Sequence, residues 1–250
     1  MSTTLLLDSD IIAYKFAAAN QKNFDFEGDG NIVSYVAPLE DALEEVTTYI
    51  NDLVLKLEAD RYIVCLSCDS KDNWRKKVLP SYKENRANVL KPELLAPIKE
   101  AMRERYECYE RPNLEADDIM GILSTHPTLV PGMKIIVSED KDMKTVPGWL
   151  FNPAKDEKPW KVSEKEADRY HLLQTLTGDP TDNYKGCPGI GPVKAEQILA
   201  GEGNPWTKIV LAYEAKGLDA DDALVQARVA RICRHTDYDF KKKKVILWTP

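Results

Sequence analysis

Leu5-Leu6-Leu7-Asp8, close to the start of the chain, is an unbroken apolar run that ends at a carboxylate. Residues 62–66 and 133–137 are two further apolar runs, and each is followed within three residues by an aspartate, Asp69 or Asp140. Such runs are typical of parallel strands that are covered on both faces, and the segments between them have helical periodicity. The pattern predicts an α/β fold with a mostly parallel central sheet flanked by helices.

The carboxyl ends of parallel strands lie at one edge of a sheet, so Asp8, Asp69 and Asp140 are expected close together. An aspartate at a single strand end can equally begin a turn or cap the next helix. Three of them at one edge favour a functional site. Between the first two strands, apolar residues recur every three or four positions over residues 39–57, which predicts a long amphipathic helix.

The composition is that of a globular protein, with 250 residues, 43% of them hydrophobic and 30% charged. The apolar stretches are far shorter than the roughly 20 residues that a membrane span needs. No basic residue precedes the first apolar run, so no signal peptide is predicted, and we expect a cytoplasmic protein without a membrane partner. The five cysteines, among them Cys65 and Cys68, are interpreted as reduced, buried thiols rather than zinc ligands.

Three carboxylates, Glu115, Asp117 and Asp118, stand at the start of an apolar-periodic helix. The helix dipole favours acids there, but Glu115 and Asp118 share one helix face and Asp117 lies beside them. Packing would force these like charges together unless a cation lay between them. With two further pairs and the strand-end aspartates, the candidate metal ligands are Asp8, Asp69, Glu115, Asp117, Asp118, Asp140, Asp142, Asp179 and Asp182. Without these nine, the formal charge of −7 would become +2.

A site made only of oxygen ligands favours Mg²⁺ or Mn²⁺. Two such ions about 3.5 to 4 Å apart would stabilise both the attacking and the leaving oxygen of an in-line displacement at phosphorus. The carboxylates therefore predict hydrolysis of a phosphodiester. The three histidines fit no acid–base or nucleophile pattern.

The interval between Lys71 and Lys91 holds seven basic residues and two acidic ones, which predicts contact with nucleic acid despite the overall negative charge. Tyr82 is a candidate for stacking on an unpaired base, whereas Trp74 is expected to pack on the core. The basic candidates for DNA contact are Arg75, Lys76, Lys83 and Arg86. Lys83 and Arg86 are favoured for phosphate contact.

A glycine-rich turn over residues 186–194 leads into a helix soon after Asp182. The backbone N–H groups at Gly189 and Gly191 can receive a phosphate there, with Lys194 nearby. The run Lys241 to Lys244 is interpreted chiefly as a solvated loop.

Seven motifs follow one another along the chain: Leu7-Asp8-Ser9-Asp10, Asp69 with Asn73-Trp74-Arg75-Lys76, Pro80-x-Tyr82-Lys83-x-Asn85-Arg86, Leu114-Glu115-x-Asp117-Asp118, Asp140-Lys141-Asp142, Gly178-Asp179-x-x-Asp182, and a closing segment from Ala230-Arg231-Ile232 to Leu247-Trp248-x-Pro250. In this order they resemble the 5′-nuclease superfamily, which includes flap endonucleases and the 5′-nuclease domain of bacterial DNA polymerase I. The sequence is most similar to the 5′→3′ exonucleases of podovirus-type phages.

The resemblance implies a PIN-like nuclease core over residues 1–159, with an arch region at about 70–98. It further implies a helical DNA-binding subdomain over residues 160–250, which contains a helix–three-turn–helix at the 186–194 turn and whose C-terminal segment returns to the core. Backbone carbonyls between Gly186 and Gly191 would hold a K⁺ ion. Lys83 and Arg86 would steer the scissile phosphate.

The resemblance also implies two metal ions and their ligands. Asp8, Asp69, Glu115 and either Asp117 or Asp118 would hold the first; Asp140, Asp142, Asp179 and Asp182 would hold the second, with Asp117 or Asp118 shared. The expected activity is metal-dependent 5′→3′ exonuclease action on duplex DNA, extending to RNA–DNA hybrid and to flap or other structure-specific cutting. We expect a monomer.

Two alternative functions fit part of the sequence. A haloacid-dehalogenase-type phosphatase would use Asp8 as nucleophile and Asp10 as acid, but it leaves the acids at 115–118 and the glycine-rich turn without a role. In a non-catalytic DNA-binding module, nine clustered negative charges would repel DNA unless metals neutralised them.

Overall fold

The computed structural model describes residues 2–25, 28–29, 32–68, 71–87 and 89–250. The strands, in chain order, are β1 (Thr3–Asp8), β2 (Gln21–Asp25), β3 (Ile32–Val36), β4 (Arg61–Cys65), β5 (Cys108–Tyr109), β6 (Met133–Val137), β7 (Gly148–Phe151), β8 (Trp160–Val162), β9 (Tyr238–Asp239) and β10 (Lys244–Val245). The helices are α1 (Ser9–Ala19), α2 (Leu39–Lys56), α3 (Arg75–Val78), α4 (Leu95–Arg105), α5 (Ala116–Thr125), α6 (Glu164–Thr177), α7 (Pro192–Leu199), α8 (Pro205–Glu214) and α9 (Ala220–Ala230).

Within the described ranges, the central sheet has six strands in the order β5-β4-β1-β6-β7-β8. Strand β1 lies between β4 and β6 and is parallel to both. Strands β5 and β7 extend the parallel pairing outward, and β8 pairs antiparallel with β7. The predicted mostly parallel sheet is confirmed, and its three predicted strands are neighbours at its centre.

The two faces of the sheet contribute to two separate cores. Leu5 and Leu7 pack in a core that α1, α2 and α4 cover, while Leu6 packs on the other face in a core that α5 helps to build. All three leucines are fully buried because a strand points alternate side chains to opposite faces. The helix predicted over 39–57 is confirmed as α2.

The hairpin of β2 and β3 was not predicted. The chain passes through α1 and this hairpin before it reaches α2. Helix α1 begins at once after β1, with the Asp8 side chain accepting a hydrogen bond from the backbone of Ile11. Strand β2 is largely exposed and polar, so it carries no continuous apolar run that would have indicated a strand.

The boundary expected at residue 160 falls inside the central sheet, because β8 pairs with β7 through Gly148 and Val162. The helical part begins after β8, with α6, and α6 to α8 form a core of their own around Leu176, Ile209 and Tyr213. Residues 231–238 then pack against α5: a Cβ atom placed on Gly121 would lie 2.3 Å from the carbonyl oxygen of Cys233.

None of the helices in the described ranges is long and apolar enough to cross a membrane.

Candidate active site

The acidic candidates gather at the carboxyl edge of the central sheet. Asp8 ends β1, and Asp140 follows β6 and caps the 3-10 helix Lys141–Thr145. The hydroxyl of Ser138 donates a hydrogen bond to Asp8 at 2.6 Å and ties the two strand ends together. Asp117 lies in the first turn of α5, which packs against β1. Asp69 lies outside the described residues.

Four of these carboxylates form no salt bridge within the described part of the chain. Burial raises the pKa of Asp8 to about 7, and the nearby charges of Asp10 and Asp140 add to the shift. Burial also raises the pKa of Asp117 well above its usual range, with Asp8 and Asp140 as like-charged neighbours. The pKa of Asp140 is raised by burial, and the pKa of Asp142 is raised to about 7 by burial and by Asp140. We call Asp8, Asp117, Asp140 and Asp142 the unpaired carboxylates.

Glu115 is held by protein cations instead. Lys83 Nζ lies 2.6 Å from Glu115 Oε1, and an Arg75 guanidinium nitrogen lies 2.9 Å from Oε2. Burial alone would raise the pKa of Glu115, but these two cations outweigh it and lower that pKa to about 2.

Asp182 and Asp179 are paired in the same way. Asp182 binds Arg86 at 2.6 Å and Lys83 at 3.5 Å. Asp179 binds Lys141 at 2.9 Å, and although burial opposes the shift, the pKa of Asp179 is lowered. The acidic edge is therefore divided into carboxylates that the protein neutralises and carboxylates that it does not.

Lys83 and Arg86 reach this edge because residues 81–86 are bonded to the loop that follows α6. The backbone N–H of Lys83 donates to the carbonyl of Asp182 at 2.9 Å, and Arg86 Nε donates to the carbonyl of Thr181 at 3.1 Å. In return, the Asn183 side chain donates to the carbonyl of Ser81 at 2.7 Å. The two cations predicted for phosphate contact are thus placed beside the acids.

Asp118 does not belong to the unpaired set, because Arg75 supplies its counter-charge. Its side chain is fully buried, and its two oxygens accept hydrogen bonds from both terminal nitrogens of Arg75, at 2.7 and 2.8 Å. The Trp74 indole and the backbone N–H groups of Cys233 and Glu115 donate to it as well. These donors satisfy the carboxylate completely, so of the two adjacent acids only Asp117 is left for a cation.

Two residues expected to contact DNA are buried. Arg75 is 2% exposed, and besides its acidic partners it donates to the carbonyls of Val229 and Arg231. Tyr82 is also 2% exposed, and its hydroxyl lies within hydrogen-bond distance of both Glu115, at 3.1 Å, and Asp182, at 2.9 Å, so its ring is not available to stack on a base.

Of the other basic candidates, Arg86 is exposed and Lys83 is half-buried. Lys76 is half-buried. Trp74 packs in the core, as predicted.

The glycine-rich turn lies at the surface. No atom would lie within 4 Å of a Cβ placed on Gly189 or Gly191, which leaves the backbone there open to a ligand. The ammonium of Lys194 donates to the carbonyl of Gly189 at 3.2 Å. Behind the turn, the backbone at Gly186 passes close to the backbone at Gly178. A Cβ on Gly186 would lie 2.3 Å from the backbone nitrogen of Gly178, so this close approach requires glycine.

Three site residues were not found from the sequence. Ser138 binds Asp8, and Gln174 on α6 donates to Asp142 at 2.7 Å. Lys99 on α4 pairs with Asp10 at 2.7 Å, so Asp10 has a protein counter-charge although it lies near Asp8. Single polar residues at a strand end or in a helix carry no sequence signal that indicates these contacts.

The unpaired carboxylates have the donor chemistry of a Mg²⁺ or Mn²⁺ site. Burial and like-charged neighbours raise the pKa of Asp117, and the oxygen of the Gln174 amide, next to Asp142, is buried without a hydrogen-bond partner. Within the described part, no three acidic, histidine or cysteine side chains are arranged around one point to hold a metal ion. The match between the unpaired carboxylates and Mg²⁺ or Mn²⁺ therefore rests on their negative charge and their oxygen donors.

Comparison with known proteins gives a family match. Residues 3–149 match the family model described as 5′-3′ exonuclease, N-terminal resolvase-like domain. The chain is 32% identical to an exonuclease of Escherichia phage T7, with 71% of each protein covered. It is 26% identical to the flap endonuclease Xni of Shewanella oneidensis, with 65% of this chain and 67% of that protein covered. These relatives support neither the phosphatase nor the non-catalytic alternative.

Solved structures share the fold. The D15 protein of phage T5, co-crystallised with metal ions, superposes with a TM-score of 0.68 at 16% identity, over 92% of this chain and 89% of that chain. At this identity, the likeness concerns the fold alone.

Asp118→Asn and Asp117→Asn should have opposite effects on folding. Asp118→Asn leaves Arg75 buried without its main counter-charge, so the free energy of unfolding should fall by roughly 3 kcal/mol. Asp117→Asn removes a charge that burial disfavours, so stability in EDTA should be unchanged or higher. Urea denaturation of both variants at pH 7.5 checks this. Equal losses of stability would contradict the division between the two acids.

Proposed function

The chain belongs to the 5′-3′ exonuclease family and is a nuclease, and on this basis we propose that it hydrolyses phosphodiester bonds from the 5′ ends of duplex DNA with the acidic edge as its active site. One observation carries the proposal most strongly. Lys83 lies near the unpaired carboxylates Asp117 and Asp140 and pairs with Glu115, while Arg86 pairs with Asp182, so a candidate site for divalent cations borders a candidate site for a phosphate.

In this proposal, two Mg²⁺ or Mn²⁺ ions are bound at the edge. Asp8, Asp117, Glu115 and Asp69 would hold one of them, and Asp140, Asp142, Asp179 and Asp182 the other. When bound, such ions lower the pKa of a coordinated water and stabilise the negative charge that develops on the leaving oxygen. Asp118 is not included, because Arg75 and its other donors already occupy both of its oxygens.

Lys83 and Arg86 would hold the scissile phosphate. Burial alone would lower the pKa of Lys83, but Glu115 and Asp182 raise that pKa well above its usual range, so the ammonium stays charged and does not act as a base. Its present partners are themselves proposed metal ligands. If Glu115 and Asp182 ligated cations, Lys83 and Arg86 would no longer be neutralised by these two carboxylates and would be available to a phosphate.

The duplex would lie against the turn at Gly189 and Gly191, with Lys194 on its backbone. Contacts from lysine and backbone N–H groups to DNA phosphates carry no base-specific information, so cleavage should not depend strongly on the DNA sequence. Action on RNA–DNA hybrid, cutting of flaps, a K⁺ ion between Gly186 and Gly191, a monomeric state and a cytoplasmic location stay predictions.

Cleavage should begin at the 5′ end and require a divalent cation. A duplex labelled separately at its 5′ and 3′ ends should release short 5′-labelled products early with Mg²⁺ and none with EDTA. Asp140→Asn should lower turnover by roughly 100-fold or more. The matched control is Asp52→Asn, the same change at an exposed position of α2, which should cleave like the parent protein. Early release from the 3′ end, or full turnover in Asp140→Asn, would overturn the proposal.

Lys83→Ala and Lys194→Ala should separate chemistry from binding. Lys83 lies among the carboxylates, so its loss should lower kcat by roughly 100-fold and change the duplex Kd only slightly. Lys194 lies on the surface turn, so its loss should raise the duplex Kd by a few fold, less so at high salt, and leave single-turnover rates at saturation unchanged. Single-turnover kinetics and fluorescence anisotropy measure the two quantities. A pure affinity effect in Lys83→Ala would place Lys83 outside the active site.

Metal binding should release protons. Without metal, Asp8 and Asp142 have pKa values near 7, so near pH 6 they are mostly protonated and a cation must displace those protons. Mg²⁺ affinity should therefore rise between pH 6 and pH 8. Because the pKa values of Asp8 and Asp142 are higher in the folded than in the unfolded chain, their contribution to the free energy of unfolding of the metal-free protein is full below about pH 4. It is lost as the pH rises through 7. Calorimetry of Mg²⁺ binding in two buffers of different ionisation enthalpy measures the protons released; a pH-independent affinity would refute the assignment.

A further inference from the structure

A cavity of about 880 Å³ lies outside the acidic edge. It is bounded by the amino-terminal half of α6, the start of α8, residues 231–236 and residues 248–250. None of the nine candidate metal ligands lines it. Its volume is in the range of pockets that bind small molecules.

Two arginines form part of the wall. Arg231 and Arg234 are 7% and 6% exposed, and each has one main acidic partner: Asp237 at 2.8 Å for Arg231 and Asp168 at 2.7 Å for Arg234. Arg234 also donates to the carbonyl of Thr145 at 2.9 Å. A buried pair of guanidinium groups presents planar donors that match phosphate oxygens.

Unsatisfied nitrogens mark the same wall. Within the described residues, Arg234 Nε and His235 Nδ1 are buried without a hydrogen-bond partner, and both residues line the cavity. Buried polar atoms are nearly always bonded, so an unsatisfied pair on consecutive residues indicates a missing polar partner such as a ligand or water.

Two helix starts add positive potential. Helix α6 begins after Ser163 and α8 begins after Asn204, and both residues line the cavity. Helix N-termini favour anions. The opposing charges on the wall are the carboxylates of Glu164 and Asp168; the Asp168 side chain is half exposed, so a phosphate can replace it as the partner of Arg234.

The other wall is aromatic. The ring of Trp248 lies edge-on to Trp206, with centroids 5.3 Å apart, and edge-on to His171 at 5.0 Å. Indole rings provide a surface for a nucleobase. We propose that this cavity binds a small nucleotide, with its phosphate on Arg231 and Arg234 and its base against Trp206 and Trp248. The proposal goes beyond the nuclease function and does not depend on the acidic edge.

The test uses the full chain in EDTA, so that no divalent ion can bridge a nucleotide to the carboxylates. Calorimetry would compare 2′-deoxyadenosine 5′-monophosphate, inorganic phosphate and 2′-deoxyadenosine. The nucleotide should bind most tightly, because only it engages both the arginines and the indoles. No detectable binding of the nucleotide at millimolar concentration would overturn the proposal, as would equal binding of the nucleoside.

Variants locate the binding site. Arg234→Gln should weaken nucleotide binding by about tenfold or more, since a hydrogen bond to a charged group is lost. Asp168→Asn should strengthen it several-fold, because the competing carboxylate is gone. Lys83→Ala should leave it unchanged.

Circular dichroism shows whether each variant folds. If Arg234→Gln does not fold, the nucleotide affinity of Asp168→Asn tests the proposal by itself. The Asp168 side chain is half exposed, so its replacement should not prevent folding. Unchanged affinity in Asp168→Asn, or loss of affinity in Lys83→Ala, would place the nucleotide elsewhere and overturn the proposal. Failure of the nucleotide test would leave 5′-end cleavage untouched, so the two proposals fail separately.

Discussion

The buried ion pair between Arg75 and Asp118 joins three parts of the chain. Asp118 belongs to α5, Arg75 begins the segment that leads to Lys83, and the partners Val229 and Cys233 lie where the chain returns from the helical part. Removing two charges from water is costly unless every donor and acceptor is satisfied, and here the carboxylate accepts five hydrogen bonds. This requirement fixes where α5 begins and thus where Asp117 lies.

The neighbours Asp117 and Asp118 have opposite environments although they are the same residue type in the same helical turn. Within the described residues, Asp118, Glu115 and Asp182 form salt bridges with lysine or arginine, and the unpaired carboxylates form none. Mutual repulsion among buried, unpaired carboxylates favours their protonated forms and is relieved when a divalent cation binds. In the proposed mechanism, the same charges that destabilise the metal-free edge would favour metal binding, and the cations paired with Glu115 and Asp182 would contact the phosphate.

Continuous apolar runs made the sheet predictable, because a strand covered on both faces must be apolar throughout, and the common edge followed from parallel pairing. The β2–β3 hairpin lacks such a run and was missed. Asp117 and Asp118 could not be separated, because the distinction depends on Arg75, over forty positions away, and on Cys233. Arg75 and Tyr82 lie in a basic, aromatic segment that resembles a DNA-binding surface; their burial is a result of tertiary packing that composition does not reveal. Domain functions and metal assignments stay proposals.

The central claim is that the unpaired carboxylates, and not Asp118, bind the catalytic cations. Anomalous diffraction at the manganese edge, from crystals soaked in Mn²⁺, tests it most directly. The account predicts peaks at the carboxyl edge of the sheet, with oxygens of Asp8, Asp117 and Asp140 within about 2.5 Å of an ion. Asp118 should stay bonded to Arg75. A peak coordinated by Asp118, or the absence of any peak near Asp117 and Asp140 at saturating Mn²⁺, would contradict it.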